Sequence, residues 1–265
     1  RSAEHRGRDA AGGGESLELP APSTVRTLLL DAGGVLVRPN YERVAAALRG
    51  QGVDAEAATL RAAEAPAKRE VDRPPGEGLV TDEERGWVYF NLLLRHAGIG
   101  RSTATAAALV ELKAWHDRHC LWEEVPEGVE EALRRLRASG RRLAVVSNSN
   151  GTVRLLLERL GFLGLFEEVL DSKVEGVEKP DPRIFQLALE RLGASPEETL
   201  FVGDIYHVDV VGGRRAGLRV VMVDEKGLYG EADCPRVRSL VELAEHLAAR
   251  PGQDGDFLLD SATAR

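Results

Sequence analysis

At 265 residues the chain can hold one large domain or two modest ones, and 43% apolar with 29% charged residues is ordinary for a globular protein. A net charge of −8 with no basic stretch argues against nucleic acid or an anionic membrane as partner. There is no apolar run of the roughly 18 residues that a membrane span needs and no signal-peptide core at the N-terminus, and Cys120 and Cys234 are too few and too far apart for a disulfide framework, so a reducing, cytoplasmic setting is expected.

Residues Arg1 to Ser23 are rich in Gly, Arg, Glu and Pro without periodicity, and read as a disordered tail that cannot offset its ordering entropy. The apolar run Val25–Leu30 predicts a buried strand. No strand candidate follows until Leu143. The stretch between is helical in pattern (Tyr41–Leu48, Ala55–Arg69, Asp82–His96 and Ser102–Cys120), interrupted by Pro74, Pro75, Gly76 and Gly78. It reads as a helical domain over residues 39–123, inserted after the first strand, where open α/β sheets place their ligands and a lid would act.

From there the chain alternates. Val129–Arg137, Val153–Leu160 and Pro182–Leu192 have helical periodicity and end near Gly140, Gly161 and Gly193. Leu143–Val146, Glu168–Leu170, Leu200–Val202 and Val220–Val223 are near-continuous apolar runs, as strands covered on both faces should be. Pro196 and Glu197 suit the first turn of a short helix. The prediction is a doubly wound parallel α/β sheet, a Rossmann-like core over residues 24–38 and 124–250, with the helical insertion and a flexible end over 251–265.

Four polar clusters follow predicted strands. Asp31-Ala32-Gly33-Gly34 closes the first; taken alone it is equally a strand end and a turn. Ser147-Asn148 closes the second, where capping of the next helix is an equal explanation. Lys179-Pro180-Asp181-Pro182 puts a lysine before a proline pair in a chain with only five lysines, though a solvated lysine would look the same. Gly203-Asp204 with Asp209 places two carboxylates five residues apart, more than one helix cap explains.

In this order and spacing the clusters resemble the haloacid dehalogenase superfamily, in the branch with a helical cap after the first strand. The resemblance spans about Val25 to Ala249. It implies a hydrolase, foremost a magnesium-dependent phosphatase acting on a small phosphorylated molecule, with the Asp31 carboxylate as nucleophile. Asp31, Asp204 and the backbone carbonyl of Gly33 would hold Mg2+, an ion that prefers few, hard oxygen ligands. Lys179 would neutralise the nucleophile and the transferring group, Ser147 with the Asn148 backbone N–H would hold a phosphate oxygen, and Asp209 would position Lys179 or a metal-bound water.

The second residue past the nucleophile is an Asp in family phosphatases and serves as general acid and base; here it is Gly33. Such catalysis is worth about 10²–10⁴ in rate. The readings that remain are a phosphatase for good leaving groups or with an acid from the cap, for which Glu83, Glu84, His96, His116 and His119 are candidates, and a 2-haloacid dehalogenase, whose halide needs no proton. A phosphonate-cleaving enzyme using Lys68 or Lys113, and a weakly active regulatory protein, are two more. Asp204 argues for a metal and hence for phosphate. His116, His119 and Cys120 form only a weak zinc pattern. Trp87, Tyr89, Phe90 and Trp115 read as cap core, and specificity is expected near Tyr41, Trp87 and the loop Arg73–Leu79.

Overall fold

The structure, a computed structural model, describes residues 18–72 and 81–248. Strand β1, Thr27–Leu30, is buried throughout, and its leucines are drawn alternately to two layers. Leu28 and Leu30 share a core with Val129, Leu133 and Leu136 of helix α5 (Val129–Ala138), Leu156 and Leu157 of α6 (Val153–Arg159), and Leu240 and Leu243 of α10 (Leu240–Ala248). Leu29 belongs to the opposite core, with Ile184, Phe185 and Ala188 of α8 (Pro182–Leu192), which the short helices α7 (Ser172–Glu175) and α9 (Val211–Arg215) precede and follow in the chain. Each such side chain, taken from water, contributes about 1.5–3 kcal/mol.

Around β1 lie β4 (Arg142–Ser147), β5 (Glu168–Asp171), β6 (Thr199–Gly203), β7 (Arg219–Val223) and β8 (Arg236–Val237). All pair in parallel, in the order β5-β4-β1-β6-β7-β8. The core is therefore the doubly wound α/β sheet predicted, with one more strand than the sequence announces. At two residues, β8 is too short for a hydrophobic pattern to mark it.

The chain departs from β1 through β2 (Arg38–Pro39) and returns through β3 (Trp122–Glu124), which pair antiparallel. This corrects the expectation that no strand lies between Leu30 and Leu143. Between β2 and β3 run α1 (Tyr41–Gly50), α2 (Ala57–Val71), α3 (Asp82–His96) and α4 (Thr103–His119). Asn40, Thr81 and Ser102 cap α1, α3 and α4 through their side chains, which satisfies backbone donors that a helix start leaves open. These helices have a core of their own, built on Tyr41, Leu48, Leu60, Phe90, Leu93 and Leu112. None of the described helices is long and apolar enough to cross a membrane.

Of the stretch read as an N-terminal tail, residues 1–17 lie outside the described residues. Residues 18–23 run along the core: Leu19 packs on it and Arg141 donates to the Pro22 carbonyl at 3.0 Å. The C-terminal stretch 251–265 also lies outside the described residues.

Candidate active site

Register brings the sequence clusters together. Leu30 pairs with Val145 of β4 on one side and Val202 of β6 on the other. Asp31, the next residue, is thereby within one position of Ser147 and Asp204, and its backbone N–H donates to the Val202 carbonyl at 2.8 Å. The three strand ends are neighbours at the point where the sheet order reverses about β1, the usual ligand crevice of such folds.

Lys179 is the centre of charge. Its side chain is 1% exposed, and Nζ lies 3.0 Å from Asp31 Oδ1 and 2.7 Å from Asp209 Oδ1. Burial works against the ammonium, but the two carboxylates outweigh it and raise the pKa above the ordinary lysine range. Asp209 is fully buried in a π-helical turn, Tyr206–Val210, and its Oδ2 accepts from the backbone N–H groups of Asp204 and Ile205, each at 2.9 Å. A Cβ on Gly203 would fall 2.4 Å from Asp209 Cβ, so only glycine allows this closeness. Gly34, at φ +73°, makes room for Asp204 in the same way: a Cβ there would lie 1.8 Å from Oδ2. Gly33 differs. Its φ is ordinary and a Cβ would meet only the Trp122 ring, at 3.5 Å.

Ser147 is buried and lines the same cavity as Asp31. Asn148 faces the lysine loop: Nδ2 donates to the Lys179 carbonyl at 2.9 Å and Oδ1 accepts from the Lys179 N–H at 2.8 Å. The loop after β4 is clamped by residues that the sequence analysis passed over. Asp171, at the end of β5, accepts from the N–H groups of Gly151, Val153 and Lys173, while Ser172 exchanges hydrogen bonds with Ser149. The signal was present, since Asp171-Ser172 follows an apolar strand as the other clusters do.

A cavity of about 890 Å³ spans the strand ends and the helical insertion, lined by Asp31, Gly33, Ser147, Asn148, Lys179, Asp204 and Asp209 from the core. The insertion adds Lys68, whose Nζ is 2.7 Å from Asp204 Oδ2. Burial opposes that charge too, but Asp204, joined by Glu64 and Asp209, outweighs it and the pKa is raised. Asp72, four residues on, binds the loop after Asp204. The sequence offered no motif for either residue; their spacing on one helix face was the available clue.

Of the cap acids considered, Glu83 and His116 line the cavity. Glu84 completes the capping box of α3, His96 bonds Glu70, and the His119 ring stacks on Trp115. Tyr41 is buried in the insertion and does not itself line the cavity, but its hydroxyl lies 3.0 Å from that of Tyr89, which does. Trp87, Tyr89 and Phe90 both pack in the insertion and line the cavity. The loop Arg73–Leu79 lies outside the described residues.

Among the described residues, the one set of His, Cys, Asp or Glu side chains close enough to hold a metal is Asp31, Asp204 and Asp209, whose oxygens lie within 4.8 Å of one another. His116 Nδ1 is instead taken by the Leu121 N–H, and Cys120 Sγ donates to the Trp122 carbonyl, which leaves no zinc cluster there. The acidic set fits a hard divalent cation. Burial, opposed by Lys179 and reinforced by Asp209 and Asp204, pushes the Asp31 carboxyl up to about 7, and a cation bound beside it would favour the charged form.

The family model described as haloacid dehalogenase-like hydrolase matches residues 25–217. Haloacid dehalogenase-like hydrolase domain-containing protein 3 of Homo sapiens is 33% identical over 206 residues, 75% of this chain and 82% of that protein. Glyceraldehyde 3-phosphate phosphatase of Methanopyrus kandleri is 35% identical over 172 residues, 60% of this chain and 72% of the relative. The magnesium-bound crystal structure of the HAD hydrolase YfnB from Bacillus subtilis shares the fold at a TM-score of 0.62 and 23% identity, over 84% of this chain and 98% of its own. Solved 2-haloacid dehalogenases share that fold as well. The chain belongs to the haloacid dehalogenase-like hydrolase family.

Proposed function

We propose that the protein is a magnesium-dependent phosphatase that hydrolyses small phosphorylated metabolites through an aspartyl-phosphate at Asp31. The observation that carries this reading is the set of Asp31, Asp204 and Asp209, three buried carboxylates whose oxygens lie close enough together to share a hard cation. Relatives named for phosphatase activity on glyceraldehyde 3-phosphate and phosphoserine support the substrate class.

In the reaction Asp31 attacks phosphorus as the bond to the leaving oxygen breaks, and water then hydrolyses the acyl phosphate and frees the carboxylate. Lys179, held by Asp209, offsets the charge of the attacking carboxylate and the phosphoryl oxygens. The Ser147 hydroxyl and the Asn148 N–H take a phosphoryl oxygen, on a loop that Asp171 and Ser172 keep in place. Asp31, Asp204 and the Gly33 carbonyl would hold Mg2+, which supplies the positive charge that lets a phosphate dianion approach a carboxylate. The helical insertion acts as a cap that excludes water and selects the substrate. Cys120 and Cys234, both buried and in no disulfide, suit a cytoplasmic setting.

Phosphate release from p-nitrophenyl phosphate should require Mg2+, cease with a chelator and fall to background in Asp31→Asn. Activity undiminished by the chelator would sink the metal mechanism. Gly33 favours a second reading, the dehalogenase, because halide leaves without a proton; halide release from a 2-haloacid with no phosphate release from any ester would establish it.

A further inference from the structure

In an in-line displacement the attacking and leaving atoms stand on opposite sides of phosphorus. Asp31 attacks from the end of β1, so the leaving oxygen points off the sheet into the cavity, toward the wall that the insertion forms. The core offers that oxygen nothing at Gly33. Both insertion lysines line the cavity, but Lys113 is engaged within the insertion by Asp117 at 2.9 and 3.0 Å and by Glu83 at 3.3 Å. Lys68 is the insertion lysine that reaches a core carboxylate, with a side chain 17% exposed and Nζ 2.7 Å from Asp204 Oδ2. An ammonium carries three donors, and Asp204 takes one.

What fixes Lys68 there is one helical turn away. The Asp72 side chain, 1% exposed, ends α2 in the core. Its Oδ2 accepts from the Tyr206 N–H at 2.8 Å and the Tyr229 hydroxyl at 2.7 Å. Its Oδ1 accepts from the His207 N–H at 3.0 Å and lies 2.8 Å from His207 Nδ1. Tyr206 and His207 lie two and three residues past Asp204, so one loop carries both the carboxylate that meets Lys68 and the backbone donors that hold Asp72. Residues i and i+4 share a helix face, and the pair sets both the height and the rotation of α2 over the site.

We propose that Lys68 contacts the leaving oxygen of the phosphate ester as a fixed cation, in place of the acid that Gly33 does not provide, and that Asp72 is its positioning residue. This rests on the phosphatase reading above. As the bond from phosphorus to the leaving oxygen breaks, its electron pair stays on that oxygen and the ammonium balances the charge without giving up a proton. The departing alkoxide takes its proton from solvent water. The hydroxide so formed is equivalent to the water consumed when the aspartyl-phosphate is hydrolysed, so one water is used per ester.

The test is a series of aryl phosphates graded by the acidity of the phenol, with wild type, Lys68→Met, Lys68→Arg, Asp72→Asn and the Lys68→Met/Asp72→Asn double variant, all in Mg2+. Lys68→Met should lower kcat/KM for phenyl phosphate at least about tenfold more than for p-nitrophenyl phosphate, because charge on the poorer leaving group depends more on the cation. Lys68→Arg should restore most of the difference. Asp72→Asn should show the same selective loss in wild type and none beyond it in Lys68→Met. Equal losses across the series overturn the contact with the leaving oxygen. An Asp72→Asn loss that persists undiminished in Lys68→Met overturns the positioning role. A wild type that releases no phosphate from any ester overturns the phosphatase reading and this proposal with it, and is recognised before any variant is made.

Discussion

Lys179 sits between two buried carboxylates, Asp31 and Asp209, and is 1% exposed. Its removal is therefore more than a loss of catalytic charge. Lys179→Met should cost about 3–5 kcal/mol, the penalty for leaving buried charges without their partner, together with all measurable turnover. Denaturant melts and phosphate release read the two effects separately. Neighbouring glycines should behave in opposite ways. Gly33→Asp has room beside Trp122 and an ordinary backbone, so it should fold normally and speed esters with poor leaving groups more than good ones. Gly34→Ala meets Asp204 head on at a left-handed φ, and should weaken Mg2+ binding measured by calorimetry as well as stability. A Gly33→Asp variant slowed equally on every ester would show that the missing acid is not what limits the rate.

At the scale of elements, the site is a set of loops held by the ends of parallel strands, and the loop after β4 depends on β5. Asp171→Ala removes acceptors for three backbone N–H groups and should cost about 1–3 kcal/mol. Because that loop begins at Asn148, directly after Ser147, KM for phosphate esters should rise more than kcat falls; an unchanged KM would dissociate the loop from phosphate binding. The same elements show what the sequence makes legible. Strands buried on both faces leave unbroken apolar runs, so β1, β4, β5, β6 and β7 were readable, and a polar residue ending such a run marked Asp31, Ser147 and Asp204. Strands of two or three residues, β2, β3 and β8, leave no pattern. Lys68 and Asp72 were invisible for another reason. A helix position announces which face it is on but not what that face docks against, and their partners Asp204, His207 and Tyr229 lie more than a hundred residues downstream.

Over the whole molecule, the insertion and the sheet are two packed bodies joined mainly by polar contacts. Tyr41, Leu60, Phe90 and Leu93 form a core that shares no buried side chain with either core of the sheet, while Trp122 packs against both sides. The contacts that cross the boundary include Arg61 with Glu124, Lys68 with Asp204, Asp72 with Tyr206, His207 and Tyr229, and Asn150 with the His116 carbonyl. Contacts of this kind hold orientation better than they hold bodies together, which suits the cap role proposed for the insertion. The separation can be tested by excision. The departing and returning chains run side by side, with Pro39 opposite Trp122 and the Asn40 N–H donating to the Leu121 carbonyl at 2.9 Å. Replacing residues 41–120 by Asn-Gly would close that pair as a hairpin with a two-residue turn. The shortened protein should unfold in one cooperative transition, because both sheet cores keep every buried side chain but Cys120, and should still bind Mg2+, because Asp31, Asp204 and Asp209 all come from the core. Without Lys68 and the cavity wall, it should hydrolyse p-nitrophenyl phosphate weakly and lose preference among larger phosphate esters. A shortened chain that melts without cooperativity, while full-length protein melts cooperatively, would mean that the polar boundary is a structural joint, and that the sheet needs the insertion in order to fold.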